Sequence, residues 1–184
     1  MDSLLWSLLG YVVFPLWLLS GIADYAVHRR TSIETTSGTH ESLLHLLQTA
    51  EIAGPALLLL FLEVNALVLL LMALGVAAHT WTAWRDLRYA NTLREITPFE
   101  QFVHTFLFSL PLFAFAIVGV LHWPQLLAVF DPADAPAAAW TLAWKSPPFE
   151  TGVIVTVLLA SLLFGVLPGL AELRATLKAR RATG

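Results

Sequence analysis

Three of the six histidines in this chain have a carboxylate four residues upstream. The pairs are Asp24-x3-His28, Glu41-x3-His45 and Glu100-x3-His104. On a helix, residues four apart lie one above the other on the same face, so each pair can direct one oxygen and one nitrogen ligand toward a common point. With only 13 acidic residues in 184, random placement would give fewer than one such pair. The spacing therefore predicts a metal site built from several helices.

The composition is that of a membrane protein. The chain is 58% hydrophobic and only 12% charged, with a mean hydropathy of +0.74, whereas about 25% of residues in soluble domains are charged. We expect one all-α, polytopic helical domain over residues 1–184. The absence of cysteine excludes disulfides, Cys-ligated zinc, iron–sulfur clusters and thiolate nucleophiles. A net charge of −3 without a long basic tract argues against nucleic acid as a partner.

The apolar segments predict about five transmembrane helices. A membrane helix needs about 20 apolar residues, and the first such segment is too long for a signal peptide and reads as a retained span. The predicted spans are approximately 4–28, 40–62, 66–92, 99–121 and 150–170, with an external loop at 122–149. The distribution of arginine and lysine places the N-terminus outside and the C-terminus in the cytoplasm.

The apolar stretch at 42–78 allows either one long kinked helix or a tight hairpin of two spans. Basic clusters lie on both sides of it, at Arg29-Arg30 before it and between Arg85 and Arg94 after it. Only a hairpin puts both clusters on the cytoplasmic side, where arginine and lysine are enriched. The hairpin would turn near Glu63-Val64-Asn65.

With this topology, all three acid–histidine pairs fall on the cytoplasmic side of the bundle. His79, near the same end of the third span, adds a fourth imidazole. The predicted metal ligands are Asp24, His28, Glu41, His45, His79, Glu100 and His104. Four further residues could support these ligands or join them: Asp86, His40, Glu51 and Glu63. Three arginines are expected at lipid headgroups or as topology determinants: Arg29, Arg30 and Arg94.

This ligand set favours a dinuclear centre. Four imidazoles and three or four carboxylates exceed the needs of one ion, and carboxylates can bridge two metals. Mixed imidazole and carboxylate sets suit iron or manganese, whereas zinc normally takes four ligands. We expect two metal ions, iron first, with zinc or manganese as alternatives and haem less favoured. In the alternative interpretation, each pair forms only an internal hydrogen bond that offsets its burial.

The arrangement resembles integral-membrane di-iron proteins of the fatty acid desaturase and hydroxylase type. Those proteins carry histidine boxes at the cytoplasmic ends of membrane helices, and the likeness covers residues 24–104. Their His-x3-4-His and His-x2-His-His boxes are absent here, where carboxylates replace many of the histidines. Soluble ferritin-like proteins use Glu-x2-His, and this chain uses x3. The resemblance implies O2 activation beside a lipid or isoprenoid substrate.

Three classes of function follow. The first is a dinuclear oxidoreductase that uses O2 for hydroxylation, desaturation or quinol oxidation. Its electrons would come from an external donor, because the sequence has no flavin or NAD fingerprint. The second is a zinc hydrolase of a lipid ester or amide, and the third is a non-enzymatic haem or metal-ion carrier. We expect the protein in a bacterial-type inner membrane, where it could also form a homo-oligomer.

Overall fold

The computed structural model describes residues 1–133 and 136–183, and the regular secondary structure in these residues is helical. The main helices are α1 (Asp2–Thr31), α2 (Gly38–Phe61), α3 (Ala66–Ala90), α4 (Pro98–Leu121), α5 (Trp123–Phe130) and α6 (Thr151–Ala182). Short 3-10 turns cover Ile33–Thr35 and Ala137–Trp140.

Five of the described helices are long and apolar enough to cross a membrane: α1, α2, α3, α4 and α6. The shortest of these have 24 residues, or about 36 Å of helix against a hydrocarbon core of about 30 Å. The most apolar window of α6 has none of its residues buried inside the protein, as expected for a surface that faces lipid. The structure confirms the predicted number of helices that are long and apolar enough to span a membrane, and these helices indicate a membrane protein.

A short turn separates α2 from α3 at the residues that the sequence singled out. Helix α2 ends at Phe61, and the side chain of Asn65 caps α3 by accepting a hydrogen bond from the Val68 amide at 3.0 Å. The turn has no glycine or proline, yet it is held by backbone hydrogen bonds from Glu63 to Ala143 and from Lys145 to Phe61. The loop before α6 therefore fixes the backbone of the turn through these hydrogen bonds.

Helices α2 and α3 pack closely as an antiparallel pair. A Cβ atom built on Gly75 of α3 would lie 2.5 Å from the Pro55 ring of α2 and 3.0 Å from the Glu51 carbonyl oxygen. Only glycine fits this contact without a shift of the neighbouring helix. At the turn end of the pair, a small core is formed by Val64, Val68, Leu69, Met72 and Val118.

Prolines shape two of the long helices. Single π-turns cover Leu9–Val13 in α1 and Leu162–Val166 in α6, shortly before Pro15 and Pro168. A proline has no N–H for the carbonyl four residues earlier and its ring clashes with that carbonyl. A widened turn at that point lets the helix continue.

The last helix differs most from its prediction. The sequence predicts a span that ends near residue 170, but α6 continues to Ala182. A Cβ atom on Gly169 would lie 2.9 Å from the Leu46 side chain of α2, so this glycine permits a close approach of the two helices. The approach brings the extension of α6, including Glu172, against the polar end of the bundle.

Candidate metal centre

The three acid–histidine pairs converge at one end of the bundle. Asp24 and His28 lie near the end of α1, Glu41 and His45 near the start of α2, and Glu100 and His104 near the start of α4. Two groups have potential ligand atoms within 4.8 Å of one another: Asp24, His28, Glu100 and His104, and His28, Glu41 and His45. His28 belongs to both groups, so it lies at the centre of the cluster.

Hydrogen bonds in the cluster run between helices and not within the pairs. The i,i+4 distances are 3.6 Å for Asp24 to His28 and 4.0 Å for Glu41 to His45, too long for a hydrogen bond. His104 Nε2 instead lies 3.0 Å from Asp24 Oδ1. Internal bonding of each pair, the alternative left open by the sequence, does not describe these contacts.

Glu172 of α6 contacts two of the histidines at their Nδ1 atoms. Its Oε2 lies 2.9 Å from His28 Nδ1, and its Oε1 lies 2.9 Å from His45 Nδ1. The two imidazoles are stacked, with ring centroids 4.7 Å apart and an interplanar angle of 9°. Metal-binding histidines commonly donate the other ring N–H to a carboxylate in this way, which fixes the tautomer and aims Nε2 at the ion.

The Nε2 atom of His28 faces three carboxylates without a hydrogen bond of its own. It lies 3.5 Å from Glu100 Oε1, 3.6 Å from Asp24 Oδ1 and 3.9 Å from Glu41 Oε1. His28 is 1% exposed, so no bulk water reaches the atom. Two ligand atoms that each lie about 2.1 Å from one ion are about 3.0–3.4 Å apart. The distances are longer than hydrogen bonds and slightly longer than this separation, so these atoms could bind one ion after a small contraction.

Arg94, in the loop between α3 and α4, clamps two of the carboxylates. Its Nη2 donates to Glu41 Oε1 at 2.6 Å and also to Glu100 Oε1, while its Nη1 donates to Glu100 Oε2 at 3.0 Å. Burial by itself would lower the pKa of Arg94, but the hydrogen bonds and charges of Glu100 and Glu41 outweigh it and raise the pKa above its usual range. Arg94 therefore stays charged and forms ion pairs with both carboxylates.

Asp86 of α3 lies in the cluster as a direct neighbour of His45. Its Oδ2 is 3.0 Å from His45 Nε2 and 3.1 Å from the donating Gln48 Nε2. Its Oδ1 is buried and has no hydrogen-bond partner. The sequence leaves Asp86 as either a support or a ligand, and this free oxygen favours the ligand role.

His79, a predicted ligand, has other partners. Its Nε2 lies 3.3 Å from the Leu107 carbonyl oxygen, and its Nδ1 lies 3.3 Å from that of Gln48. Pro111 has no N–H to donate to the Leu107 carbonyl, so His79 satisfies a backbone group that the proline leaves unpaired. His79 is in neither group of converging ligand atoms.

The remaining predicted residues lie away from this centre. His40 is exposed and contacts the Tyr89 ring edge-on at 4.4 Å, and Glu51 accepts a hydrogen bond from Thr82 at 2.8 Å. Glu63 lies at the opposite end of the bundle, where it accepts from the Ser146 amide at 2.7 Å. Arg29 and Arg30 are exposed at the end of α1, as a headgroup contact requires.

The expectation for Arg94 needs correction. The sequence groups it with the headgroup-binding arginines, but its side chain is only 5% exposed and bonds to Glu41 and Glu100. The Arg94 guanidinium is attracted more strongly to these two carboxylates than to lipid headgroups, because ion pairs are less screened inside the protein than at the membrane surface.

Two cavities adjoin the cluster. The smaller, of about 90 Å³, lies between α1, α2 and α6 and reaches Asp24, His45 and Glu172. The larger, of about 210 Å³, lies beside α3 and α4 and reaches Asp24, His45, Asp86 and His104. His28 lines neither of them. The outer histidines can therefore meet a small molecule, whereas His28 is enclosed.

Sequence reasoning missed Glu172 and the clamping role of Arg94. Both residues reach the cluster from segments outside the predicted ligand spacing, one beyond the expected end of the last span and one from a loop. The sequence does contain one indication of the role of Glu172, because this carboxylate directly follows the apolar residues from Leu167 to Ala171. A lone carboxylate at the end of such a stretch needs a partner.

Comparison with known proteins identifies no relative. No family model, curated protein or solved structure matches this chain.

Proposed function

We propose that this chain is a membrane oxidoreductase with a dinuclear metal centre, in which two iron ions activate O2 for the oxidation of a lipid-soluble substrate. The observation that carries the proposal is the buried His28 Nε2, which lacks a hydrogen bond and faces oxygens of three carboxylates at 3.5–3.9 Å. A buried polar atom without a partner is costly, and a metal ion between these atoms removes that cost.

The charge of the cluster supports two divalent ions. Five carboxylates meet there, from Asp24, Glu41, Asp86, Glu100 and Glu172, with the single guanidinium of Arg94. With neutral imidazoles, as metal ligation requires, four negative charges remain. Two divalent cations cancel that charge, whereas one leaves half of it. Uncompensated charge of this size is very unfavourable away from water.

The donor atoms support iron over zinc. The cluster offers imidazole and carboxylate groups from several facing helices, as in di-iron carboxylate bundles. A closed zinc site would use four ligands and leave the rest as buried charges. Arg94 binds both oxygens of Glu41 and both oxygens of Glu100, which fixes the two carboxylates in position. Each carboxylate oxygen has a further lone pair that could face a metal ion.

The protein residues would each have a defined part. Bound iron would supply the redox chemistry that passes electrons from the substrate to O2, and complete reduction of one O2 would take up four electrons and four protons in all. Glu172 holds the rings of His28 and His45, and Arg94 holds Glu41 and Glu100. The surrounding apolar helices keep bulk water from the centre.

Elemental analysis of the purified protein tests the proposal. We expect about two iron atoms per chain, as in carboxylate-rich bundles, and a loss of at least one of them in His28→Ala. His122→Ala is the matched control, because His122 lies at the far end of α4, and it should keep the full metal content.

Three results would contradict the proposal. A preparation with no transition metal above background would remove the metal centre. Retained zinc without visible absorbance would favour a hydrolase, since zinc activates water but takes no electrons. A Soret band would identify bound haem and make the chain an electron carrier.

A further inference from the structure

The larger cavity adjoins the metal cluster on one side only, and the metal proposal does not use its other side. It lies between the cytoplasm-proximal ends assigned to α3 and α4, and its lining includes Ala83, Asp86, Leu87, Gln101, His104 and Thr105. One wall therefore belongs to the metal cluster and the other is apolar or weakly polar. A pocket with a few convergent polar groups in an apolar wall is the usual form of a small-molecule site.

The cavity reaches the outer surface of the bundle. Gln101 and Thr105 on α4 are exposed, and Phe108 below them is 40% exposed. Toward the middle of the bundle, the His79 contact with the Leu107 carbonyl draws α3 and α4 together. The way in is therefore from the side, between two helices whose outer faces would meet lipid.

The cavity also lies close to the ends of these helices. Ala83 and Leu87 precede the end of α3 at Ala90, and Gln101 and Thr105 follow the start of α4 at Pro98. At 1.5 Å per residue, these positions are about 4–11 Å from the helix ends. A helix of about 36 Å across a core of about 30 Å places this level just inside the headgroup region. A lipid-soluble molecule would present its polar end here, with its chain toward the bilayer centre.

We infer that this cavity binds the ring of a quinol with an apolar tail, which supplies the electrons for the proposed O2 reaction; the inference rests on the proposed function. The volume of about 210 Å³ equals about seven waters at the density of the liquid. That space is sufficient for one substituted ring.

Two histidine–carboxylate pairs on the cavity wall can receive the quinol hydroxyls. His104 is paired with Asp24 at 3.0 Å, and His45 is paired with Asp86 at 3.0 Å. Their side chains are 19% and 16% exposed, against 1% for His28. Both pairs line the same cavity, so a ring with two hydroxyl groups can hydrogen-bond to polar atoms of each pair.

The stoichiometry closes without another electron donor. Each quinol breaks two O–H bonds and becomes a quinone, releasing two electrons and two protons. Two quinols supply the four electrons and four protons that convert one O2 into two waters. A quinol donor also accounts for the absence of a flavin or NAD fingerprint in the sequence.

The test fills the cavity without touching the cluster. Full-length protein in lipid nanodiscs is given a decyl-substituted benzoquinol, and O2 uptake is followed with an electrode. In Ala83→Phe we expect at least a tenfold loss of quinol-dependent uptake with unchanged metal content. Ala78→Phe is the matched control, because Ala78 lies on the same helix with an exposed side chain and lines neither cavity; it should behave as the wild type.

A second measurement does not depend on turnover. An azido-quinone with the same tail is photolysed in the nanodiscs, and the labelled peptides are mapped. We expect labels within residues 83–87 and 101–108, competed by unlabelled quinone and lost in Ala83→Phe.

The outcomes separate this inference from the proposed function. Protein that holds two irons but neither consumes O2 with the quinol nor labels in these segments overturns the quinol site and leaves the metal centre standing. Oxidation of an acyl chain in place of the quinol, or full uptake by Ala83→Phe, overturns the inference as well. Loss of the metal centre in the wild type overturns both.

Discussion

The Nδ1 atom of His28 lies 2.9 Å from the Oε2 atom of Glu172, although 144 positions separate the two residues in the chain. The other oxygen of the same carboxylate lies 2.9 Å from Nδ1 of His45. One side chain therefore fixes two stacked imidazoles, and the Nε2 atoms of both turn toward the remaining carboxylates. This carboxylate orients two neighbouring histidines so that both could bind a metal ion.

Substitution of Glu172 by glutamine should weaken metal binding without unfolding the protein. A glutamine keeps the size of the side chain and can accept a hydrogen bond through one oxygen only, so one imidazole loses its support. Loss of such a supporting group typically costs about 10–100-fold in metal affinity. Metal content after dialysis against a graded chelator series measures the change.

The control for this prediction is Glu95→Gln, which removes one carboxylate from an exposed loop position. It should retain the wild-type metal content through the same series. If Glu172→Gln holds its metal as tightly as this control, the carboxylate has no role in orienting the ligands.

The sequence could predict those parts of the site in which both residues of a pair lie on the same helix. Each acid-x3-His pair is a local pattern, since four residues make about one turn, and the hairpin follows from the positions of the arginines. Glu172 has no local signature of its role, because its partners come from α1 and α2. The basic residues after Glu172 lead to the prediction of a cytoplasmic tail. The helix in fact continues through these residues to Ala182.

Removal of the Arg94 side chain should destabilise the metal-free protein most. Arg94→Ala leaves Glu41 and Glu100 buried beside each other without their cation, and the loss of one partner of a buried ion pair costs about 3–5 kcal/mol. Added metal should restore part of that loss, because a cation again lies next to the two carboxylates. Thermal unfolding with and without metal measures both effects.

Arg29→Ala serves as the comparison for Arg94→Ala, since Arg29 is exposed and exposed charges contribute little to stability. Its unfolding temperature should match that of the wild type in both conditions. Equal stability of Arg94→Ala and the wild type in the absence of metal would show that the clamp is dispensable.

His79 should prove structural and not a metal ligand. In His79→Ala the Leu107 carbonyl, which Pro111 cannot serve, loses its donor, and an unsatisfied buried group costs about 1–3 kcal/mol. We expect lower thermal stability with unchanged metal content. His79→Gln retains a donor and should recover much of the stability. A loss of metal in both variants would instead restore the ligand role that the sequence predicts.

Sequence spacing alone does not show which histidines converge, and His79 lies in neither group of converging ligand atoms. His79 has the right residue type at the right end of its helix, and spacing alone cannot distinguish a metal ligand from a donor to a carbonyl. The distinction depends on Pro111, which lies on another helix and frees the Leu107 carbonyl. A histidine facing a proline-containing helix is therefore ambiguous until the register of the two helices is known.

The contact between Gly75 and Pro55 should control how α2 and α3 pack, and with it the position of the metal ligands on both helices. In Gly75→Ala the new methyl group would meet the Pro55 ring at 2.5 Å and the Glu51 carbonyl oxygen at 3.0 Å. Because the carbonyl belongs to the backbone, the helices must separate, and such overpacking costs about 1–3 kcal/mol.

Gly54→Ala, on the same stretch of α2, meets nothing within 4 Å and should not lower the unfolding temperature. The separation also moves His45 relative to Asp86, so Gly75→Ala should lose metal at a lower chelator concentration than Gly54→Ala. Equal unfolding temperatures of the two variants would show that this close approach does not hold the hairpin together.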